Sequence, residues 1–395
     1  GEIMTEAVVA RQVGAIAVSA RSLAPDLARG AMLLLIALAN APHYRYGYPS
    51  GGLRGPGHSV VDQVALLLQI VCIKGRAYPL FALLFGYGIV QLLSRHTGSG
   101  VAETRVCTLV RRRGWWMLLI GFLHALLLFS GDIIGAYGLL AVLLAEVLVR
   151  ARDRTLLILA VLWTVPIVLF RTLGGRLSPL TDKASALTDP SRAAGIRVLE
   201  WLQCSVVGSV CTLVPAVLLG VWAARRRLLD EPERHRSLLR RTAVLGVGLA
   251  VAGGLPCALV RSAWWQPQPA LATLAGVVHT LTGYAGGLGY AAVAGLVAIH
   301  VQGRSPRVIS ALAACGQRSM TCYLLQSVVF VAVLAAYGGG LGNRLGLAAI
   351  ALLATVTWAL SVLVADVMSR RGYRGPAEVL LRRLTYGSPT TTSRG

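Results

Sequence analysis

Apolar runs of roughly 15–25 residues, divided by short arginine-rich or glycine-rich segments, repeat along the whole chain. A bilayer core is about 30 Å thick, and about 20 apolar helical residues cross it. The run from Arg111 to Arg150 shows the pattern best: two apolar stretches flank a turn at Ser130–Asp132 and end in arginine on both sides. Short loops rich in arginine stay in the cytoplasm. The pattern therefore predicts a membrane hairpin whose arginine-bearing ends face inward and whose turn faces outward.

The same pattern predicts an all-α, polytopic helical membrane protein with about ten transmembrane helices and both termini in the cytoplasm. The segment 59–94 could be one bent helix or two pieces, because Lys74 and Arg76 fall inside it. The predicted spans are 24–42, 59–94, the two arms of the hairpin, 155–170, 202–224, 242–260, 271–300, 310–337 and 345–368.

These spans fall into five predicted regions. A mobile N-terminal tail covers 1–20, and an N-terminal transmembrane bundle covers 21–224. A basic cytoplasmic loop follows at 225–241. The C-terminal transmembrane region covers 242–387 and ends in a basic amphipathic helix at the inner surface. Residues 388–395 are predicted to be a disordered tail.

Composition agrees with a membrane protein and argues against a nucleic-acid partner. Of the 395 residues, 55% are apolar and 14% charged, whereas a soluble protein carries about 25% charged residues. The net charge is +22, but the arginines fall in short clusters between apolar runs, which is typical of membrane loops. The expected partners are the bilayer and its anionic lipids.

The seven cysteines include no CxxC pair, so neither a metal site nor a disulfide framework is predicted.

The hairpin carries the first candidate for chemistry. An ionisable side chain inside the bilayer costs roughly 2.5–3.5 kcal/mol, so its presence suggests a function. His124 lies 11 residues after Arg113, which puts it about 16 Å deep on a helix. It could act as a general base or link two helices by a hydrogen bond. Asp132 could be catalytic or cap a helix, and Tyr137 follows one turn later.

A second group surrounds Asn40, with His43, His58 and Asp62 nearby in the sequence. His58 and Asp62 are four residues apart, so they would share a face if a helix began at His58. A histidine oriented by an aspartate can activate a nucleophile. His58 could equally be an ordinary loop residue after Gly-Pro-Gly.

Further polar residues are candidates for substrate binding. Asp26 and Arg29 are three apart and can pair on a helix. Arg76 lies too deep for a helix that faces only lipid, so it should point into the bundle, snorkel or mark a re-entrant break. The segment Gly316–Ser327 adds Arg318, Tyr323 and Gln326.

Five motifs follow one another along the chain: DLARG with the later Asn40, GRAYPLFALLFGYG, GFLHALLLFSGDIIGAYGLL, GQRSMTCYLLQS and YRGPAEVLLRRLTYG. In this order they resemble the bacterial YeiB-like membrane proteins, whose C-terminal part is the domain-of-unknown-function 418 (DUF418) family. This chain departs from the family at Cys322, where relatives usually carry a small or amide residue, and at Arg76, where they usually show lysine.

That family is distantly similar to transmembrane acyltransferases. The resemblance implies a multi-pass protein of the bacterial cytoplasmic membrane, in which Asp26, Arg29 and Asn40 match acyl-transfer positions. The matching histidine is either His43 or His58. It also implies acyl-CoA as a co-substrate, no tightly bound cofactor, and a hydroxyl or amine acceptor on a small molecule or glycan.

The leading interpretation is therefore acyl transfer at or across the membrane. Two alternatives stay open: a transporter with a relay of His124, Asp132 and Arg76, and a non-catalytic scaffold or sensor. The predicted catalytic residues are His124, Asn40, His58 and Asp132. The predicted substrate-binding residues are Asp26, Arg29, Arg76, Tyr137, Arg318, Tyr323 and Gln326.

Overall fold

The computed structural model of the chain describes residues 22–47, 59–97, 103–173, 184–304 and 306–386. Regular structure in these ranges is entirely helical, so the predicted all-α fold is confirmed. His58 and both predicted tails lie outside the described residues. The fifteen α-helices of the described part are α1 Leu23–Asn40, α2 Val60–Leu68, α3 Ala77–Thr97, α4 Glu103–Leu127, α5 Ile134–Arg150, α6 Asp153–Leu162, α7 Thr164–Leu173, α8 Pro190–Glu200, α9 Gly208–Arg225, α10 Arg236–Arg261, α11 Pro269–His300, α12 Arg307–Gln317, α13 Ser319–Leu334, α14 Leu347–Arg370 and α15 Pro376–Tyr386.

Seven helical segments in the described part are long and apolar enough to cross a membrane, and a bent pair makes an eighth. The predicted count of ten is not confirmed. Both arms of the predicted hairpin are present as α4 and α5, but α4 carries arginines through its first half and α5 has only 17 residues. The seven segments are Leu23–Tyr44, Val60–Ser94, Asp153–Leu173, Gly208–Arg225, Pro232–Arg261, Pro269–His300 and Leu347–Arg370.

Apolar side chains cover the outside of the bundle. Val161, Val244 and Leu352 are each at least 65% exposed. Soluble proteins rarely expose a wide apolar surface, whereas a helix in lipid satisfies its backbone internally and presents apolar side chains outward. The chain is therefore a multi-pass membrane protein. We call the end that carries the Ser130–Asp132 turn the outer end and the opposite one the inner end, following the arginine distribution.

The segment 59–94 is two pieces. A π-helical turn over Gln69–Ile73 follows α2, and Lys74 is then extended. Gly75 has φ 78°, a left-handed conformation that glycine adopts without steric cost. A Cβ at Gly75 would lie 3.0 Å from His279 Nε2, so α11 packs directly against this break.

The segment predicted as the single span 310–337 is also broken, because α12 and α13 meet at 86°. Arg318 lies at the corner, where its Nε and Nη2 donate to Tyr373 O at 3.2 and 2.6 Å and its Nη1 donates to Ala314 O at 3.0 Å. These bonds to backbone carbonyls favour a structural role for Arg318 over the predicted substrate-binding role. Glu378 of α15 caps α13 by accepting from the backbone N–H groups of Met320 and Thr321.

Helices from both halves of the chain interlock. The first helix, α1, packs against α12, α13 and α14, and α3 packs against α9 and α11. The hairpin helices approach each other through glycine: a Cβ at Gly121 would lie 2.1 Å from Gly135 N. Small residues allow this close contact between membrane helices. The predicted division of the chain at 225–241 stays a prediction.

Candidate functional site

His124 and Asp132 form a buried pair at the outer end of the hairpin. His124 lies in the last turn of α4, and its Nδ1 is 2.8 Å from Asp132 Oδ1. The two residues are 3% and 1% exposed. Asp132 also accepts from Ile134 N at 3.1 Å and from Gly135 N at 2.6 Å, so it caps the start of α5, where helix dipoles stabilise negative charge. Asp132 was predicted to be either catalytic or a helix cap, and its position is compatible with both roles.

The other ring nitrogen of His124 meets a serine. His124 Nε2 lies 2.9 Å from Ser327 Oγ on α13, and Ser327 is 3% exposed. Because an ionised carboxylate only accepts, Nδ1 carries the ring proton, and Nε2 accepts from the Ser327 hydroxyl. The longer contact of that hydroxyl, 3.3 Å to Tyr323 O, is the weaker alternative. Serine, histidine and aspartate thus lie in the hydrogen-bond order of a nucleophilic triad.

Ser327 was not among the residues predicted from the sequence. It lies four residues after Tyr323, a predicted residue, and this spacing puts both side chains on one face of α13. The His124 and Tyr323 ring centroids are 5.0 Å apart. The spacing is the only signal in the sequence that could have indicated Ser327.

Several buried polar atoms on residues close to the triad in space or in the chain have no hydrogen-bond partner among the described residues. They include the Tyr137 hydroxyl and both amide atoms of Gln326. The Tyr323 hydroxyl lies beside the backbone N–H of Ile133 but makes no hydrogen bond of full geometry. Each such buried group costs about 1–3 kcal/mol, and proteins normally satisfy them with protein, water or ligand. Tyr137, Tyr323 and Gln326, which were predicted to bind substrate, thus have polar atoms free to bind a polar ligand.

Asn40 is buried in a neighbouring group rather than bonded to His124. Its Oδ1 accepts from the Tyr78 hydroxyl at 3.4 Å. Tyr78, Tyr44 and Asp132 all lie close enough to Tyr323 to interact with it electrostatically. The tyrosines therefore connect Asn40 to the region of the triad. No hydrogen bond among the described residues joins Asn40 to His124, so the catalytic role of Asn40 stays a prediction.

Phe129 covers the triad on its outer side. Its ring centroid lies 6.4 Å from that of His124 and 5.9 Å from that of His43, and it stacks on Tyr44 at 5.4 Å. His43 is exposed, whereas His124 is buried. Phe129 thus separates an outward-facing histidine from the triad. The rings of Phe129 and Tyr323 both lie next to that of His124, at centroid distances of 6.4 and 5.0 Å.

The second predicted histidine site, His58 with Asp62, stays a prediction. His58 lies outside the described residues, and Asp62 is engaged elsewhere. Its Oδ1 accepts from Ala348 N at 2.8 Å, so Asp62 caps α14. In the hairpin, Asp132 supplies a carboxylate that orients a histidine, His124.

At the inner end, the predicted pair of Asp26 and Arg29 is confirmed, with Arg29 Nη1 3.1 Å from Asp26 Oδ1. Gln317 Nε2 donates to the other carboxylate oxygen at 3.0 Å, which ties α1 to α12. Arg113 lies close enough to Arg29 and Glu378 to interact with both. Two guanidinium groups therefore lie near each other below the triad.

Arg76 points into the bundle, which is one of its three predicted alternatives, and is fully buried. Its Nη1 lies 2.7 Å from Lys74 O and 2.7 Å from His279 Nδ1, and its Nη2 donates to Ala250 O. No hydrogen bond in the described part of the chain joins Arg76 to His124 or Asp132. The transport relay of these three residues stays a prediction.

Comparison with known proteins shows what the chain is similar to. Residues 223–388 match the family described as "Protein of unknown function (DUF418)". The chain is 26% identical over 394 residues to "Uncharacterized protein YxaH" of Bacillus subtilis (strain 168), covering 91% of this chain and 93% of that protein. It is 25% identical over 401 residues to "Uncharacterized protein YeiB" of Escherichia coli (strain K12), covering 92% and 96%. These matches confirm the resemblance noted in the sequence. The similarity to acyltransferases stays a prediction.

Proposed function

We propose that this YeiB-like membrane protein of the DUF418 family is an acyltransferase whose reaction takes place at Ser327, His124 and Asp132. The donor is an acyl thioester such as acyl-CoA, and the acceptor is a hydroxyl or amine of a small molecule or glycan. The observation that carries the proposal is the two-sided bonding of His124, 2.8 Å from Asp132 Oδ1 and 2.9 Å from Ser327 Oγ. A buried histidine with this bonding can withdraw the serine proton while the carboxylate stabilises the imidazolium.

In the first half-reaction, Ser327 Oγ attacks the thioester carbonyl carbon and its proton moves to His124 Nε2. The carbon–sulfur bond then breaks, and the departing thiolate takes the proton from His124. The products are an acyl-serine ester and a free thiol. His124 ends the step neutral, so it is ready to act as a base again.

In the second half-reaction, the acceptor hydroxyl or amine attacks the acyl carbon and gives its proton to His124 Nε2. The bond between the acyl carbon and Ser327 Oγ breaks, and Oγ recovers the proton from His124. The acyl group is now on the acceptor, and no oxidant or reductant is needed. Asp132 stays ionised throughout and keeps the ring in one orientation.

The unpartnered groups around the triad support this chemistry. A tetrahedral intermediate carries a negative oxygen, which hydrogen-bond donors in a water-poor site stabilise strongly. Tyr323, Tyr137 and the Gln326 amide are buried donors with unused hydrogen-bonding capacity. Tyr323 is nearest to the ring of His124, so it is the first candidate for this role.

The two substrates would reach the triad from opposite ends. Arginine binds phosphate strongly, and Arg29 and Arg113 lie near each other at the inner end. Arg113 is 11 residues before His124 on α4, about 16 Å below it. An extended pantetheine-type arm could span that interval and bring the thioester to Ser327. The acceptor would enter from the outer end after Phe129 moves.

The test uses the full chain purified into lipid nanodiscs with acyl-CoA and measures release of free CoA by chromatography. His124→Ala and Ser327→Ala should each lower the rate by about 100-fold or more. Ser361→Ala is the matched control, because Ser361 is also buried and its hydroxyl donates to the carbonyl four residues earlier, at 2.8 Å from Thr357 O. Full activity in His124→Ala would overturn the proposal.

Two further outcomes separate the alternatives. Loss of activity in His124→Ala with full activity in Ser327→Ala would mean that His124 activates the acceptor directly, without an acyl-serine. Uptake or export that stops when the proton gradient collapses, with no CoA release, would favour the transporter.

A further inference from the structure

A second polar group lies within the bundle, away from the hydrogen bonds of the triad. Its centre is the contact between Arg76 and His279, in which Arg76 is 0% exposed and its Nε has no hydrogen-bond partner among the described residues. Lys74, Arg171 and Arg261 all lie close enough to His279 to interact electrostatically, as Arg76 does. Four cationic side chains thus lie around one histidine, ten residues or about 15 Å from the outer end of α11.

These residues form a path from the surface to the interior. Arg171 is exposed, and a Cβ at Gly276 would lie 3.9 Å from its Nη2. Gly276 is three residues before His279, so the Arg171 guanidinium lies on the face of α11 that leads to His279. Arg261 is exposed at the end of α10. The buried Arg76 lies behind His279, on the inner side of the path.

The three arginines of this group have no carboxylate partner in the described part of the chain. Arg76, Arg171 and Arg261 form no ion pair with any carboxylate in the described ranges. Charges buried at membrane depth normally pair with one another or mark a binding site. Burying a charge costs free energy, and several like charges without an acidic partner also repel each other. A bound anion would offset both the cost of burial and the repulsion.

We infer that this group, defined by Arg76, Arg171, Arg261 and His279, binds the phosphate of an anionic membrane lipid. Arg171 and Arg261 hold the headgroup phosphate, and the buried charge of Arg76 adds to the attraction from behind His279. The site is independent of the acyl-transfer proposal, because none of its residues takes part in the triad.

A lipid fits this site better than a soluble anion, because both exposed arginines border the lipid-facing surface. Trp264 and Trp265, which follow Arg261 within four residues, are 55% and 41% exposed. Exposed tryptophans are characteristic of the headgroup level of a bilayer. Phosphodiester headgroups lie at that level, whereas a soluble anion would have to leave water to reach it.

The experiment measures lipid binding to the purified full chain by native mass spectrometry, with phosphatidylglycerol and phosphatidylcholine as the two lipids. The wild type should bind phosphatidylglycerol more tightly. Arg171→Gln and Arg261→Gln should each weaken that binding about fivefold, and the double variant about 25-fold, following the usual contribution of one basic residue near an anionic membrane. Both substitutions are at exposed positions, so the fold should be retained.

The matched control is Arg344→Gln, an exposed arginine at the same end of the bundle that does not contribute to the electrostatic surroundings of His279. It should bind phosphatidylglycerol like the wild type. Equal binding by the wild type and the double variant would overturn the inference, and so would an equal loss in Arg344→Gln. Binding of inorganic phosphate without binding of phosphatidylglycerol would overturn the lipid as the ligand.

Discussion

His124 Nε2 lies 2.9 Å from Ser327 Oγ, although 203 residues separate them in the chain. The histidine and its aspartate come from the hairpin, and the serine comes from α13, inside the region 223–388 that matches DUF418. Neither region alone holds the three residues. The proposed site therefore exists only where the N-terminal hairpin and the DUF418 region pack together.

Replacing Asp132 by asparagine should reduce activity strongly. Asp132 accepts from His124, Ile134 and Gly135, and an amide has only one acceptor oxygen for these three donors. If its NH2 group faces the histidine, the ring takes the tautomer that cannot accept from Ser327; if the NH2 group faces Gly135, it opposes that backbone N–H. CoA release by Asp132→Asn should fall by about 10²–10⁴-fold.

Asp366→Asn is the control for that variant, since Asp366 forms only an i,i+4 ion pair with the exposed Arg370, at 2.7 Å. Such pairs contribute about 0.3–0.5 kcal/mol. Activity that survives in Asp132→Asn at the level of Asp366→Asn would show that Asp132 is a helix cap and nothing more.

A methyl group at Gly121 should destabilise the hairpin. The added Cβ would lie 2.1 Å from Gly135 N and 2.4 Å from Asp132 Oδ2, so the helices must separate. Overpacking of this kind costs about 1–3 kcal/mol, and Gly121→Ala should lower the midpoint of thermal unfolding in detergent.

Gly248→Ala is the matched comparison, because a Cβ at Gly248 in α10 meets nothing within 4 Å. Replacing an uncrowded helical glycine by alanine stabilises by roughly 0.5–1 kcal/mol, so this variant should unfold at the wild-type temperature or above. Equal unfolding temperatures for the two variants would contradict the close contact of α4 and α5.

Much of the hairpin could be predicted from the sequence because its contacts are local. His124 and Asp132 are eight residues apart, and a polar pair that flanks a turn between two apolar runs can be identified by inspection. The pairing of Asp26 with Arg29 follows from helical spacing alone.

The remaining contacts could not be predicted because they join distant segments. Ser327 and His279 meet their partners across 203 residues each, and a serine or histidine in an apolar helix does not indicate which helix it faces. The 86° corner between α12 and α13 depends on Arg318 and on Glu378 of α15. The hydropathy of the sequence does not separate the two helices, so 310–337 was predicted as one continuous span.

Removing the carboxylate of Glu378 should detach the C-terminal helix. Glu378 Oε1 accepts from Met320 N at 2.8 Å and from Thr321 N at 3.1 Å. Loss of a helix cap costs about 1 kcal/mol, so Glu378→Ala should expose α15 to limited proteolysis. Glu103→Ala, at an exposed position in the first turn of α4, should be cut no faster than the wild type. Resistance of Glu378→Ala to protease would mean that other contacts hold α15.

Shortening Phe129 should open the triad to the outer side. Phe129 lies between the exposed His43 and the buried His124. In Phe129→Ala, a histidine-specific acylating reagent added outside should modify His124, which it should not reach in the wild type. His43 is the internal control and should react in both proteins, as read by peptide mass spectrometry. Protection of His124 in both would show that access runs by another route.

The most direct test of the proposed triad is peptide mass spectrometry of the full chain after brief incubation with acyl-CoA and no acceptor. The account predicts an acyl group on Ser327 in the wild type and in Ser361→Ala, and none on that peptide in His124→Ala or Ser327→Ala. An unmodified Ser327 in protein that turns over acyl-CoA would contradict the account, and so would equal acylation with and without His124.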